Sequence, residues 1–285
     1  MAAPVLGVIG GSGLYSMKDL EVLEEISVDT PFGAPSDKLI RGNLMGREML
    51  FLPRHGVGHR ITPSEINYRA NIFAMKKLGV SRILSVSAVG SMKEEIVPGH
   101  IVLPDQFIDR THRRISTFFS DGIVGHVALA DPICSDLQGI VADAAQKAGA
   151  TLHVGGTYIC IEGPQFSTKA ESMLYRSWGV DVIGMTNVTE AKLAREAGLC
   201  YVTMALSTDY DCWHDSHDSV TVEAILEIMH NNVSLAQGIV KETAASNVDE
   251  AKCSCADAAA HAVVTDPARI PANLKNDLKV LFGSL

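Results

Sequence analysis

The stretch Tyr201-Val202-Thr203-Met204-Ala205-Leu206 runs directly into Ser207-Thr208-Asp209, so an apolar run is followed at once by polar residues. Four further apolar runs, each ending at a glycine or a polar residue, lie at 5–9, 49–53, 83–88 and 157–161. Short apolar runs without strict alternation are typical of strands that are covered on both faces of a sheet. The sequence therefore predicts a central sheet of buried strands.

Helical patterns lie between these runs. Apolar residues recur every three or four positions within 66–78, 137–144, 169–178, 188–197 and 222–239. Gly179 and Gly198 follow two of these segments, in the place of helix C-caps. The alternation predicts an α/β fold, a single domain over 1–285 with a central mixed, largely parallel β-sheet flanked by helices. We expect a C-terminal extension from about residue 246, with a short helix at 272–282.

Composition excludes several classes of protein. The 285 residues are 47% hydrophobic and 20% charged, which is inconsistent with global disorder. The 24 Lys and Arg against 33 Asp and Glu give a net charge of −9, the wrong sign for a general nucleic-acid binder. The start shows no secretory pattern, and no apolar run approaches the roughly 20 residues that span a bilayer. We therefore expect a cytoplasmic protein with neither nucleic-acid nor membrane partners.

Ligands of open, mostly parallel sheets bind beyond the carboxyl ends of the strands, so the polar residues after each run are candidate site residues. They are Ser12, Arg54, His55, Ser87, Glu162, Thr208, Asp209 and Asp211. The turn Gly10-Gly11-Ser12-Gly13 lacks both the third glycine of a dinucleotide fingerprint and the lysine of a P-loop. Its backbone N–H groups could hold one phosphate, and a plain tight turn is the alternative.

Arg54 and His55 directly follow a predicted strand. A guanidinium at a strand end offers a planar fork for phosphate, whereas a solvated surface arginine is the alternative. His55 and His59 also suggest metal ligands, but the glycines between them disfavour a helix and no acidic or cysteine ligand completes a set. We therefore expect no metal here.

Asp209 and Asp211 lie two positions apart, just past a predicted buried strand and among aromatic residues. Residues two apart in an extended segment point the same way, so both carboxyl groups would face one site. A carboxyl group in a partly apolar site can have a raised pKa and act as a proton donor. An acidic loop leading into a helix is the other interpretation.

The six cysteines are too sparse for a disulfide scaffold. Cys134, Cys160, Cys200 and Cys212 stand singly in or beside apolar runs, as buried cysteines do. Cys253-Ser-Cys255 fits two free thiols or half of a metal site. Metal is disfavoured because no second cysteine pair or local histidine pair completes four ligands, and His261 alone is not enough.

Seven blocks carry a family resemblance, in order over about residues 5–240. They are 8–14, 29–33, 54–56, 63–71, 105–111, 161–167 and 207–213. Together they resemble the 5′-methylthioadenosine phosphorylases, in the trimeric purine nucleoside phosphorylase superfamily with its phosphorylase/hydrolase-like fold. The resemblance implies a pentosyltransferase that converts methylthioadenosine and phosphate to adenine and 5-methylthioribose 1-phosphate, in purine and methionine salvage. It implies no metal or organic cofactor, phosphate as co-substrate, and a homotrimer or a hexamer of two stacked trimers.

The resemblance also assigns site residues. The phosphate positions correspond to Ser12, Arg54, His55, Ser87, Ala88 and Thr186. The nucleoside positions correspond to Phe166, Ser167, Met185, Asp209, Asp211, Val222, Ile225 and Leu226, with His126 reaching in from a neighbouring subunit. Asp209 would protonate the purine and Asp211 would assist, so these two are the catalytic candidates. Ser12 and Ser87 stand where relatives often have Thr, Asn187 replaces a common Thr, and Gln165 stands where some relatives have Arg.

Two alternative functions are considered: the first would use the same fold, and the second would bind the same kind of ligand. A purine nucleoside or methylthioinosine phosphorylase would act on 6-oxopurines, but relatives with that preference typically carry Asn at the Asp209 position. A non-catalytic nucleoside-binding protein would not need both aspartates and the whole phosphate set. By resemblance to thermophilic relatives, Cys253 and Cys255 could form a small-ring disulfide, with Cys134 and Cys200 as a second pair.

Overall fold

The structure is a computed structural model that describes residues 5–214, 222–246 and 252–283; the side chains of Ser12 and of residues 222–231 lie outside that description. Within these ranges the chain forms eleven strands and six α-helices. The strands are β1 Val5–Gly10, β2 Glu21–Ile26, β3 Leu39–Leu44, β4 Arg47–Pro53, β5 Val80–Ser91, β6 Ile101–Leu103, β7 Gln106–Arg110, β8 Leu152–Val154, β9 Thr157–Ile161, β10 Val182–Gly184 and β11 Cys200–Asp209. The helices are α1 Tyr68–Lys77, α2 Ser135–Lys147, α3 Lys169–Ser177, α4 Asn187–Glu196, α5 Val222–Ala245 and α6 Ala272–Phe282.

All eleven strands join one mixed sheet in the order β2-β3-β4-β1-β5-β10-β9-β7, with β11 pairing β5 and then leading through β6 to β8. The central strands β4, β1, β5 and β11 are mutually parallel, so their carboxyl ends lie at one edge. Four of the five apolar runs are these strands and the fifth, at 157–161, is β9; all are largely buried, as expected for a covered parallel sheet. This confirms the predicted α/β fold with a central, largely parallel sheet flanked by helices.

Sequence analysis missed the edge strand β2 and several short strands. The edge strand β2 reads Glu-Val-Leu-Glu-Glu-Ile and is exposed along almost its whole length, so it lacks the apolar run that marks a buried strand. Strands β6, β8 and β10 have only three residues each, too few to give a periodic signal. A pattern of buried apolar positions does not reveal such strands, because they form through pairing with a neighbouring strand.

The C-terminal segment packs on the same core as the rest of the chain. Helix α6 has the bounds expected from the sequence, and its Leu278 and Leu281 are buried in the main hydrophobic cluster together with Ile270. Within the described residues, no helix combines the length and apolar character that crossing a bilayer requires. All six cysteines are free thiols, in place of the two disulfides that the resemblance suggested.

The central strand should dominate stability, and matched leucines test this. Leu84 on β5 is fully buried, whereas Leu23 on β2 is about 50% exposed. We expect Leu84→Ala to lower the free energy of unfolding by about 2–5 kcal/mol because it opens a cavity in a covered strand. Leu23→Ala should change it by less than about 0.5 kcal/mol. Urea unfolding at one fixed protein concentration measures both, and equal losses would contradict the assignment of β5 to the core.

Candidate active site

A cavity of about 340 Å³ opens where the central strands end. Most predicted site residues line it. The lining consists of Gly10, Gly11, Pro53, Arg54, His55, Gly56, His59, Pro63, Val86, Ser87, Ala88, Val89, Gly90, Ile161, Phe166, Ser167, Ile183, Gly184, Met185, Thr186, Thr208, Asp209 and Asp211. The polar residues that follow separate apolar runs are thus brought together by the parallel pairing of their strands.

Arg54 is fixed at one end of this cavity. Its backbone N–H donates to the carbonyl of Gly10 at 2.9 Å, which ties the end of β4 to the end of β1. Its side chain is only 4% exposed, and Nη1 donates to the Val86 carbonyl of β5 at 2.8 Å. The backbone of Arg54 is therefore fixed to β1, and its guanidinium is fixed to β5.

Glu190, on the first turns of α4, is the partner of Arg54. Its carboxylate accepts from Nε at 2.5 Å and from Nη2 at 3.1 Å, and it is 1% exposed. The hydroxyls of Ser85 and Tyr201 donate to the same carboxylate at 2.6 and 2.9 Å. Burial opposes the charge on Arg54, but the ion pair with Glu190 outweighs it and raises the pKa of Arg54. Arg54 therefore stays positively charged at neutral pH.

Asn187 extends this buried network. Its carboxamide nitrogen lies 2.9 Å from the Ser85 hydroxyl, 3.0 Å from that of Tyr201 and 3.1 Å from that of Thr203. A threonine at this position would supply one hydroxyl, whereas the amide nitrogen of Asn187 lies within hydrogen-bond distance of three hydroxyls. The substitution noted in the sequence thus changes the support of the site, while the cavity wall itself is supplied by the neighbouring Thr186.

His55 follows Arg54 and is held as a neutral ring. Its Nδ1 lies 2.8 Å from the carbonyl of Ile61, so this nitrogen must donate and Nε2 carries the lone pair. Burial, followed by the charge of Arg54, lowers the pKa of His55 to about 4. The His59 ring stacks on it with centroids 4.2 Å apart. At neutral pH, His55 therefore offers a hydrogen-bonding nitrogen and no second positive charge.

The same end of the cavity has further features that suit an anion. Thr186 lines the cavity as the N-cap of α4, and its hydroxyl does not cap the helix. A helix N-terminus presents unpaired N–H groups and a partial positive charge. Gly10, Gly11 and Ser87 line the wall beside it. Together with Arg54, these groups give this end of the cavity hydrogen-bond donors and positive charge of the kind that a small anion requires.

Asp209 and Asp211 lie at the other end, for a reason the sequence pattern did not contain. The pairing of β11 with β5 slips by one residue between Ser207 and Asp209, so Thr208 is an extra residue in a bulge. Asp211 then sits in a 3₁₀ turn with φ of +51°, in place of the predicted extended segment. Both carboxyl groups line the cavity, but a bulge and a turn aim them there.

The hydrogen bonds of the pair hold both carboxyl groups in place. Asp209 accepts from the Thr208 hydroxyl and from the backbone N–H of Asp211, each at 2.8 Å. Asp211 accepts from the Ser172 hydroxyl of α3 at 2.5 Å. Burial raises the pKa of both Asp209 and Asp211. Each is therefore protonated at higher pH than an exposed aspartate, which suits a proton donor.

Gly90 is required for this approach. A Cβ at this position would lie 3.0 Å from Oδ1 of Asp209 and 3.3 Å from Cβ of Asp211. On its other side it would lie 3.0 Å from Ile183. The absence of a side chain thus lets the aspartates lie against the floor of β5.

The remaining wall is built from two loops joined by a buried arginine. Arg114 donates to the carbonyl of Met185 at 2.5 Å and to that of Glu162 at 2.7 Å. Phe166 lines the cavity and is more than half exposed, so its aromatic ring is accessible to a planar ligand. The Ser167 hydroxyl beside it is buried without a partner among the described residues, so it is available to a ligand.

Five predicted site residues are not placed by the geometry. The side chains of Ser12, Val222, Ile225 and Leu226 lie outside the described residues, although Ser12 begins a 3₁₀ turn and the others belong to α5. His126 is exposed, does not line the cavity, and donates its backbone N–H to Ala262 at 2.9 Å. Its predicted role belongs to a neighbouring subunit and stays a prediction.

Glu190 and Arg114 were missed by sequence reasoning. Each is a charged residue in a segment without any motif, and a solvated surface position is the ordinary expectation for both types. Only the run of small and apolar residues around Glu190 hints that α4 is covered on most sides. The roles of Glu190 and Arg114 become apparent only from the residues that surround them in the folded structure.

The comparisons with known proteins agree with this site. A family model described as the phosphorylase superfamily matches residues 5–245. An S-methyl-5′-thioadenosine phosphorylase of Geobacter sulfurreducens is 61% identical over 281 residues, covering 98% of each chain. A methylthioadenosine phosphorylase from an Antarctic soil metagenomic library superposes with a TM-score of 0.94 at 46% identity, over 99% of this chain and 100% of that one.

A more distant structure extends the comparison. Methylthioadenosine phosphorylase from Schistosoma mansoni, solved in complex with adenine, has a TM-score of 0.80 at 39% identity and covers 85% of this chain and 91% of its own. Sequence identity above one half over almost the whole chain, together with the family match, leaves one assignment. The chain belongs to the phosphorylase superfamily, and within it to the S-methyl-5′-thioadenosine phosphorylases.

Proposed function

We propose that this protein catalyses the phosphorolysis of S-methyl-5′-thioadenosine to adenine and 5-methylthioribose 1-phosphate. The observation that carries the proposal is one cavity with an anion end at Arg54 and a carboxyl end at Asp209. Arg54 binds the carbonyl of Val86, and Asp209 lies against Gly90, four residues farther along β5. At about 3.3 Å per residue the two ends are roughly 13 Å apart along the strand, which leaves room for a ribose between phosphate and base.

At the anion end, phosphate is the nucleophile. Arg54, the α4 N-terminus at Thr186, Ser87 and the glycine turn at Ser12 hold it below the ribose. The C1′–N9 bond breaks with oxocarbenium character, and a phosphate oxygen bonds to C1′ from the opposite face with inversion. Holding phosphate in line supplies much of the rate enhancement. His55, being neutral, positions this phosphate through hydrogen bonding.

At the carboxyl end, the purine leaves with a developing negative charge. Asp209, whose pKa is raised by burial, donates its proton to N7. Its carboxylate then accepts from the N7–H and from the 6-amino group, with Asp211 assisting. Phe166 and Ser167 face the base, and Met185 lies under the ribose. No metal or organic cofactor takes part in this mechanism.

The 5′ side of the proposed site is completed by α5 and by a second subunit. Val222, Ile225 and Leu226 supply apolar contacts to the methylthio group, worth roughly 1–3 kcal/mol per small group against a hydroxyl. His126 of an adjacent protomer reaches the same side. The working assembly is a trimer or two stacked trimers, and the cytoplasmic location expected from the sequence stays a prediction.

Replacing Asp209 with Asn tests the acid. Asparagine has no proton to donate at N7, and its amide can bond a 6-oxo group. We expect methylthioadenosine turnover to fall about 100-fold or more, with a relative gain for methylthioinosine and inosine. Asp19→Asn, on an exposed salt bridge with Lys241, is the matched control and should be silent. Near-normal methylthioadenosine turnover by Asp209→Asn would exclude Asp209 as the acid.

Replacing Arg54 with Lys tests the phosphate end. The change keeps the positive charge opposite Glu190 but removes the planar fork, so folding is preserved better than in Arg54→Ala. We expect the KM for phosphate to rise about tenfold or more, and the KM for the nucleoside to change much less. Arg41→Lys, in a surface pair with Glu24, provides the control. An equal rise in both constants would assign Arg54 another role.

The shared site predicts complementation between inactive chains. Chains with Asp209→Asn lack the acid, and chains with His126→Ala lack the residue given to a neighbour. We expect sedimentation to show trimers or hexamers, and co-refolded mixtures of the two variants to exceed the activity of either alone. A fully active monomer would refute the shared site, as would mixtures no more active than their components.

A further inference from the structure

Four cysteines that the proposed reaction does not use converge on one point of the fold. Cys134 is the N-cap of α2, Cys200 is the first residue of β11, and Cys253 and Cys255 lie in the segment that precedes α6. Their four Sγ atoms all lie within 4.8 Å of one another. The second cysteine pair that sequence analysis failed to find is thus supplied by residues far apart in the chain.

The spacing of the sulfurs matches a tetrahedral metal centre. A zinc–thiolate bond of about 2.3 Å places tetrahedral sulfurs about 3.8 Å apart. The Sγ atoms of Cys200 and Cys253 lie 3.3 Å apart, and no pair of the four exceeds 4.8 Å. Small movements of the Cys253 loop would bring all four into the tetrahedral arrangement. Three of the four residues are buried, and Cys253 is half-buried.

The surroundings suit a centre that carries negative charge. Four thiolates around a divalent ion leave a net charge of about −2. The backbone N–H of Leu137 donates to Sγ of Cys134 at 3.5 Å, at the positive end of α2. Nη1 of Arg195 lies 3.8 Å from Sγ of Cys255, and the same guanidinium donates to the carbonyl of Asp131. The donors that a tetrathiolate needs around it are therefore in place.

We propose that Cys134, Cys200, Cys253 and Cys255 bind one zinc ion as a structural site that fastens the C-terminal segment to the sheet. Binding converts four thiols to four thiolates, releases four protons, and involves no change of oxidation state. Since all four positions are filled by protein, no open position is left for water or substrate, and the site is structural. The inference does not depend on the proposed catalytic function.

The test is the metal content of the full-length protein, purified without chelator and measured by elemental mass spectrometry. We expect about one zinc per chain in the unsubstituted protein. Cys253→Ser should lower zinc occupancy about tenfold or more, since even changes around the ligands cost about 10-fold to 100-fold in affinity. Cys253→His, which restores a ligand, should recover most of it. Cys160→Ala removes a buried cysteine outside the cluster and should retain the zinc.

A second measurement covers the case in which Cys253→Ser does not fold. The unsubstituted protein, refolded with Co²⁺ alone, should show the visible bands of a tetrahedral cobalt–thiolate centre, and zinc should abolish them. Zinc-free protein with four alkylatable thiols at these positions would overturn the proposal. So would unreduced peptides that join Cys253 to Cys255 and Cys134 to Cys200, or Co²⁺ spectra without such bands.

Discussion

The ion pair between Arg54 and Glu190 is the interaction on which the geometry of the site depends. Both side chains are almost completely withdrawn from water, so neither charge is tolerable without the other. The pair is stabilised by two hydroxyls on Glu190 and by a backbone carbonyl on Arg54. Arg54 directly follows β4, Glu190 lies on α4, and their partners come from β5 and β11. The pair therefore fixes four elements relative to one another. Any of them that moves leaves a buried charge with fewer partners.

This constraint also determines what kind of anion the site can bind. Glu190 compensates much of the Arg54 charge, and His55 is kept neutral by burial and by that same arginine. In the proposed mechanism, a phosphate dianion would meet one compensated guanidinium, a helix N-terminus and uncharged hydrogen-bonding groups. In that mechanism, directed hydrogen bonds would contribute more to phosphate binding than net charge would.

Sequence reasoning reached the parts of this site that sit at strand ends. Arg54 and Asp209 could be predicted because each is a polar residue directly after an apolar run, and parallel pairing brings such positions to one edge. Each motif alone was weak evidence, and the motifs identified a family only when they were taken together as sequence blocks in a fixed order. Glu190 could not be found in this way, because a glutamate in a helix looks like a solvated one until the helix is known to be covered.

The aspartate pair shows a different limit. Asp209 and Asp211 line one cavity, but the extended segment on which the prediction was based is wrong, because Asp211 lies in a 3₁₀ turn. The actual cause, a bulge at Thr208 and a left-handed backbone at Asp211, depends on the space left by Gly90 on a strand more than 100 residues earlier. Local patterns cannot report such a dependence. The four-cysteine cluster is the same case, since its members meet only through the tertiary fold.

Strand β11 separates the four-cysteine cluster from the cavity. Its first residue, Cys200, belongs to the thiol cluster, and its last, Asp209, belongs to the cavity. Strand β11 has ten residues including these two, so nine steps of about 3.3 Å place them roughly 30 Å apart. Strand β11 pairs with β5 along almost its whole length and with β6 at Ala205 and Leu206, so the sheet fixes its position over this distance. Loss of the C-terminal attachment should therefore affect catalysis through the stability of the whole fold, while the geometry around Asp209 is set locally by the bulge, Gly90 and Ser172.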